Sequence, residues 1–197
     1  MYHFIVEKNT KNLINFTAFA GENYDIDVYE MKEYDENYNQ ILIDFVTNNN
    51  RLEEPLNVDE RFKYDEVSDK VIPLTEYEIA VKESNKIIEK LSDMNTEYIK
   101  SKYSLERQAS FMTLRMNAMS LQRIDIMNEL DKIQNWMFNY PMTYYYQKEN
   151  EILNYVEEIK NGNKTLTDLY SLEEMWDFEQ FNEFDPIITI SDVRQLF

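Results

Sequence analysis

Few residues in this chain are of a type that does chemistry. One histidine (His3), no cysteine and two glycines (Gly21 and Gly162) occur in 197 residues. A Ser-His nucleophile system would have to be built on His3, and no glycine-rich phosphate loop can be assembled. His3 lies in Tyr2-His3-Phe4-Ile5-Val6, which reads as a strand, and it reads there as a partly exposed strand histidine. Asp35-x-Asn37-x-Asn39 opens like a calcium loop, but Gln40 stands where that loop needs glycine and Val46 where it needs a bidentate glutamate. The match fails. Asp25 and Asp27 would share one strand face and could hold a hard cation, although a wet strand face accounts for them equally. Pairs such as Glu53-Glu54 and Glu157-Glu158 are solvated surface in so acidic a chain. No catalytic residue, metal site or cofactor is expected.

The residues present in quantity are those that pack: 10 Met, 15 Tyr and 11 Phe. Trp136, Phe138, Tyr140, Tyr144, Tyr145 and Tyr146 crowd into one short stretch. They suit either the cap of a helical bundle, with Pro141 turning the chain, or a binding patch in which Tyr and Trp supply contact area at little entropic cost. Trp176, Phe178 and Phe181, set among acids, invite the same two readings.

Two heptad-like runs must position these side chains. Thr75-Glu76-Tyr77-Glu78 matches a capping box and predicts a helix from 75 to 103. Its inner positions Ala80, Ser84, Ile87, Leu91, Met94 and Tyr98 are spaced alternately by four and three. A second run, Ala109, Met112, Met116, Met119, Arg123, Ile126, Leu130, Ile133, Met137 and Tyr140, alternates in the same way and is broken only by Arg123. It predicts one helix over 105 to 139, about 52 Å long. A parallel stripe, Phe111, Leu114, Ala118 and Leu121, makes its first half apolar over too wide an arc for a two-stranded seam, so that half requires cover on two sides. Pro141 is expected to stop or kink it. Another helix is expected from Thr143 to Lys160, capped at Asn161-Gly162-Asn163, and a short one after Ser171-Leu172-Glu173-Glu174. Pro186 to Ile190 reads as a strand or extended arm.

Before Thr75 the pattern is strand-like. Tyr2 to Glu7, Leu13 to Phe19, Tyr24 to Met31 and Ile41 to Thr47 are short and rich in β-branched and aromatic residues. Phe62-Lys63-Tyr64 and Val71-Ile72-Pro73-Leu74 suggest a closing hairpin. The expected architecture is α+β: a small N-terminal antiparallel sheet of about five strands over 1–74, an elongated helical hairpin or bundle over 75–162, and an acidic-aromatic extension over 163–197.

The net charge is −18, about −9 before residue 76, −3 from 76 to 160 and −6 beyond. Phosphate backbones are disfavoured partners, because nucleic-acid binding needs clustered Lys and Arg. No apolar run approaches the ~18 residues of a spanning helix, so membrane insertion is not expected.

The order of these parts resembles small tailed-bacteriophage proteins of the tail-fibre and tail-fibre-assembly (chaperone) type. The resemblance rests on Met1-Tyr2-His3-Phe4-Ile5-Val6 with Gly21-Glu22-Asn23-Tyr24, on Pro73-Leu74-Thr75-x-x-Glu78, and on Lys102-Tyr103-Ser104-Leu105-Glu106-Arg107-Gln108 followed by Ile133-Gln134-Asn135-Trp136 and Tyr144-Tyr145-Tyr146. It implies a non-enzymatic protein that forms part of a tail tip or helps a fibre assemble, in the virion tail or in the host cytoplasm during assembly. Other tail or fibre proteins, or further copies of itself, would be its partners.

The residues expected to bury against partner helices or against the chain's own helix 75 to 103 are Met112, Met116, Met119, Ile126, Leu130, Ile133 and Met137, with Arg123 setting register or pairing with an acid and Trp136, Tyr144, Tyr145 and Trp176 adding aromatic contacts. The charge alone also fits an acidic inhibitor that mimics nucleic acid and binds a basic protein.

Overall fold

The structure, a computed structural model, describes residues 3–17, 25–50, 56–173, 176–178 and 193–197. The fold is α+β, with small antiparallel sheets followed by helices. Two compact units divide the chain, Met1–Lys82 and Glu83–Phe197.

In the first unit β1 (His3–Glu7) is the central strand of a sheet ordered β2-β1-β3, flanked by β2 (Leu13–Thr17) and β3 (Tyr29–Glu33). Phe4 faces Phe16 on one neighbour and Lys32 on the other. A separate hairpin pairs β4 (Phe62–Asp65) with β5 (Lys70–Pro73). Among the described residues there are five strands, and they lie in two sheets rather than in the one sheet expected. Their backbones meet where Tyr34 bridges to Val71 and the Asp35 N–H donates to the Val71 carbonyl at 2.9 Å. Phe4, Val6, Leu13, Tyr34, Leu42, Val58, Phe62 and Val71 form the core between them. Their rings meet edge-on or offset, as at Phe45 and Phe62, whose centroids lie 5.0 Å apart.

One strand expectation gives way to a helix, and another is met only in its second half. Ile41 to Thr47 lies inside helix α1 (Asn39–Asn49). Leu42, Phe45 and Val46 recur at helical spacing and turn towards the core, while Ile41 and Ile43 are left outside. Of the strand expected over Tyr24 to Met31, Tyr29 to Met31 lie in β3, Asp25 to Val28 form a turn, and Tyr24 lies outside the described residues. The Asp25 side chain accepts from the Asp27 N–H at 2.9 Å and its carbonyl accepts from Val28 and Tyr29, so the chain turns and Ile26 is left 79% exposed. Asp is a turn former through this self-bonding, and here that local bond overrides the alternation.

Helix α2 (Glu76–Lys102) starts where the capping box places it. The Glu78 N–H donates to Thr75 Oγ1 at 3.2 Å and the Thr75 N–H to Glu78 Oε2 at 2.9 Å. Ala80, Ser84, Ile87 and Leu91 are buried along it as their spacing requires.

In the second unit the helix expected over 105 to 139 is two. Helix α3 (Leu105–Ser120) is capped by Ser104, and α4 (Ile124–Gln134) begins at Arg123 after Gln122 adopts φ 55°. A non-glycine residue in the left-handed region ends a helix, and the heptad spacing carries no trace of that single torsion. Pro141, in contrast, stops nothing. A π turn (Asn135–Asn139) joins α4 to α5 (Tyr140–Lys160), making one continuous helix of 37 residues. The Tyr140 N–H reaches back five residues to the Asn135 carbonyl, so the turn is already wide where the proline ring would otherwise meet the Met137 carbonyl.

The C-terminal cap of α5 forms as expected. Gly162 has φ 75°, its N–H donates to Ile159, and the Asn163 N–H donates to Glu158, the double closure of a Schellman cap. A helix the sequence reading did not single out, α6 (Leu166–Tyr170), is capped by Thr165 with Asp168 and closed by Ser171, which donates to the Asp168 carbonyl at 2.7 Å. The short helix expected after Ser171 lies largely outside the described residues. The expected arm from Pro186 to Ile190, and Phe181, lie outside the described residues.

Candidate interaction surface

The turn at Gln122 decides which of the apolar stripes is used within the chain. It folds α4 back along α3, and Arg115 ties the two with Nη1 donating to Asp131 Oδ1 and to Gln134 Oε1, both at 2.6 Å. The face of α3 that meets α4 is Phe111, Leu114 and Ala118, packed with Ile126, Leu130, Ile133 and Met137 in one core. Ala118 is wholly buried, and its small side chain allows a close approach. Tyr103 and Val193 complete the core.

The expected partner-binding residues therefore separate into two groups. Ile126, Leu130, Ile133 and Met137 are buried inside the chain's own core. Met112, Met116 and Met119 lie roughly 130° round α3 from that core, and are 54%, 68% and 58% exposed. Leu105, at 72% exposed, and Ala109 extend the same stripe towards the start of the helix. Spacing could have included Leu105, which stands four residues before Ala109. Spacing could not have shown that the seam changes sides at residue 122.

Arg123 stands at the corner between the two helices. Its guanidinium is bound to Asp125, and its Nη1 donates to the Leu196 carbonyl at 3.4 Å. The terminal residues lie against the same corner, with Val193 buried and Arg194 donating to Ser110 Oγ at 2.7 Å. Leu114, Asn117, Ser120, Leu121, Arg194 and Phe197 line a cavity of about 340 Å³ beside them.

The aromatic candidates make contacts within the chain. Trp136 packs edge-on against Tyr140 with centroids 4.6 Å apart. Tyr144 meets Phe178 at 5.1 Å, accepts from the Asp177 N–H at 3.0 Å, and Phe178 stacks in turn on Tyr98 at 6.0 Å. Tyr145 is half-buried and donates to Glu149. Trp176 and Phe178 are both buried, so this acidic stretch does not present them as an exposed docking element.

Asp25, Asp35 and His3 sit in local structure. Asp25 closes a turn, Asp35 caps the short helical turn Glu36–Tyr38, and His3 lies in β1 between Thr17 and Glu33. Among the described residues no group of three or more His, Asp or Glu side chains is placed to hold a metal ion, and no helix is long and apolar enough to cross a membrane. No protein-family profile, curated protein or solved structure matches the chain.

Proposed function

We propose that this chain is a non-enzymatic assembly protein that joins its partner through the methionine face of α3. A role in a bacteriophage tail or tail fibre follows from the resemblance of its layout and of the motifs around Thr75, Tyr103 and Trp136. The observation that supports the reading is the division of α3 into two apolar faces. Phe111, Leu114 and Ala118 are spent on the chain's own core, and Met112, Met116 and Met119, each more than half exposed, are not. Methionine is flexible and polarisable, suited to conforming to a surface it meets rather than fixing a core.

The test is association of the full chain, alone and mixed with the products of the genes beside its own, measured by light scattering over a range of salt. Wild-type association should not weaken as salt rises, because apolar burial is not screened. The Met112→Gln, Met116→Gln double variant should lose association with its helical circular dichroism intact. A chain that binds none of these proteins nor itself, or whose binding collapses with salt as an acidic mimic of nucleic acid would, contradicts the reading.

A further inference from the structure

Resting on the reading of α3 as an association face, we infer that the occupant of that face is α3 of a second copy of this chain. Leu105, Ala109, Met112, Met116 and Met119 are spaced by four, three, four and three, two heptads of a coiled-coil seam. Such a seam is self-complementary: the side chains of one copy are knobs for the holes between the same residues of another. An isolated helix of this length is marginal in water. Here α3 is already folded and held on α4 through its opposite face, so pairing bears no cost of forming the helix.

Area and charge both agree with a second copy. The five side chains present on the order of 500 Å² of largely apolar surface, and with the exposed polar residues beside them (Glu106, Thr113 and Ser120) the face approaches the ~800 Å² per partner of a standard interface. An apolar centre with a polar rim is the usual anatomy of such contacts. Two copies that each carry −18 repel one another over most of their surface. Among helices α1 to α6, α3 alone holds more cations than anions, Arg107 and Arg115 against Glu106, and its stripe holds no charge at all. A strongly charged partner would find nothing on that stripe to pair with, whereas an identical stripe leaves no charge buried.

The absence of cysteine makes the test direct. Single Met112→Cys and Met116→Cys variants of the full chain are compared under mild oxidation with Val67→Cys, whose site is 96% exposed and lies in the turn between β4 and β5. Pairing raises the effective thiol concentration, so at least one of the α3 variants should form disulfide-linked dimers about tenfold or more faster than the Val67 control. Light scattering should give twice the monomer mass at micromolar concentration, falling to the monomer mass in Met112→Glu, Met116→Glu.

Equal cross-linking at all three sites, or a dimer that survives the double substitution, overturns the inference. A chain that is monomeric alone yet binds another tail or fibre protein through the same methionines overturns the second copy as occupant and leaves the broader assembly role standing.

Discussion

Arg123 grips Asp125 with two parallel hydrogen bonds, Nε to Oδ1 at 2.9 Å and Nη2 to Oδ2 at 2.6 Å, across the first residues of α4. Because the pair sits where α3 turns into α4, it steadies the corner that sends one stripe inward and leaves the other outside.

Protonation of that pair sets a first prediction. The hydrogen bond from Arg123 holds the Asp125 carboxyl down at about 2, below its ordinary 3.8. A carboxyl lowered in the folded state contributes stability that is present above its unfolded value and lost as pH falls towards the folded one. The corner should therefore be unaffected by acid down to about pH 4 and loosen between there and about pH 2. The side-chain NMR titration of Asp125 should have its midpoint near the lower value and move up towards 3.8 in Arg123→Gln. An unchanged midpoint in the variant would show that the guanidinium is not the cause.

Asn95 is a second place to look. It is 5% exposed on α2, its Nδ2 donates to Met142 Sδ at 3.2 Å, and its Oδ1 is buried without a partner. A buried carbonyl lacking a donor costs roughly 1–3 kcal/mol. Asn95→Leu, which removes that group and adds helix propensity, should raise stability by about 1 kcal/mol. Urea unfolding reads it out, and a loss of stability would show that Oδ1 finds a donor in solution.

The two faces of α3 should respond in opposite ways. Phe111→Ala removes a buried ring and should cost about 3–5 kcal/mol. Met112→Gln with Met116→Gln should change the stability of dilute, dissociated chain by no more than ~0.5 kcal/mol, as expected for exposed positions. A large loss from the methionine pair would place those side chains inside the monomer.

Gly162 isolates a backbone effect. Nothing lies within 4 Å of where a Cβ would stand, yet φ is +75°. Gly162→Ala should cost about 1 kcal/mol through the left-handed torsion alone. A neutral result in thermal unfolding would mean that the cap rearranges to avoid that torsion.

Much of the architecture was legible in the residues. The capping box at Thr75, the hairpin from Phe62 to Leu74, the first two strands and the cap at Gly162 all rest on bonds between neighbours in sequence, so local chemistry specifies them. What escaped was decided by single torsions or by tertiary choice. Gln122 carries no signal of its left-handed turn, and without that turn the ten-position run from Ala109 to Tyr140 reads as one seam. Ile41 to Thr47 has the composition of a strand and becomes a helix because Leu42, Phe45 and Val46 reach the core together only at helical spacing. For the candidate surface, spacing picked out Met112, Met116 and Met119 but grouped them with Ile126, Leu130, Ile133 and Met137, which belong to the interior.

The π turn before Pro141 also reconciles two rhythms. Inward residues run 126, 130, 133, 137 and then 141, 152, 156, 159, and the step from 133 through 137 to 141 takes four residues twice where an alternating beat would take four and three. One surplus residue is absorbed in the wide turn. Deleting Asn139 would restore an ordinary turn and swing everything downstream by about 100°, carrying Ile152, Val156 and Ile159 away from the interior. The long rod is thus two phased segments spliced together, and its tolerance of insertions and deletions should be narrowest at that splice.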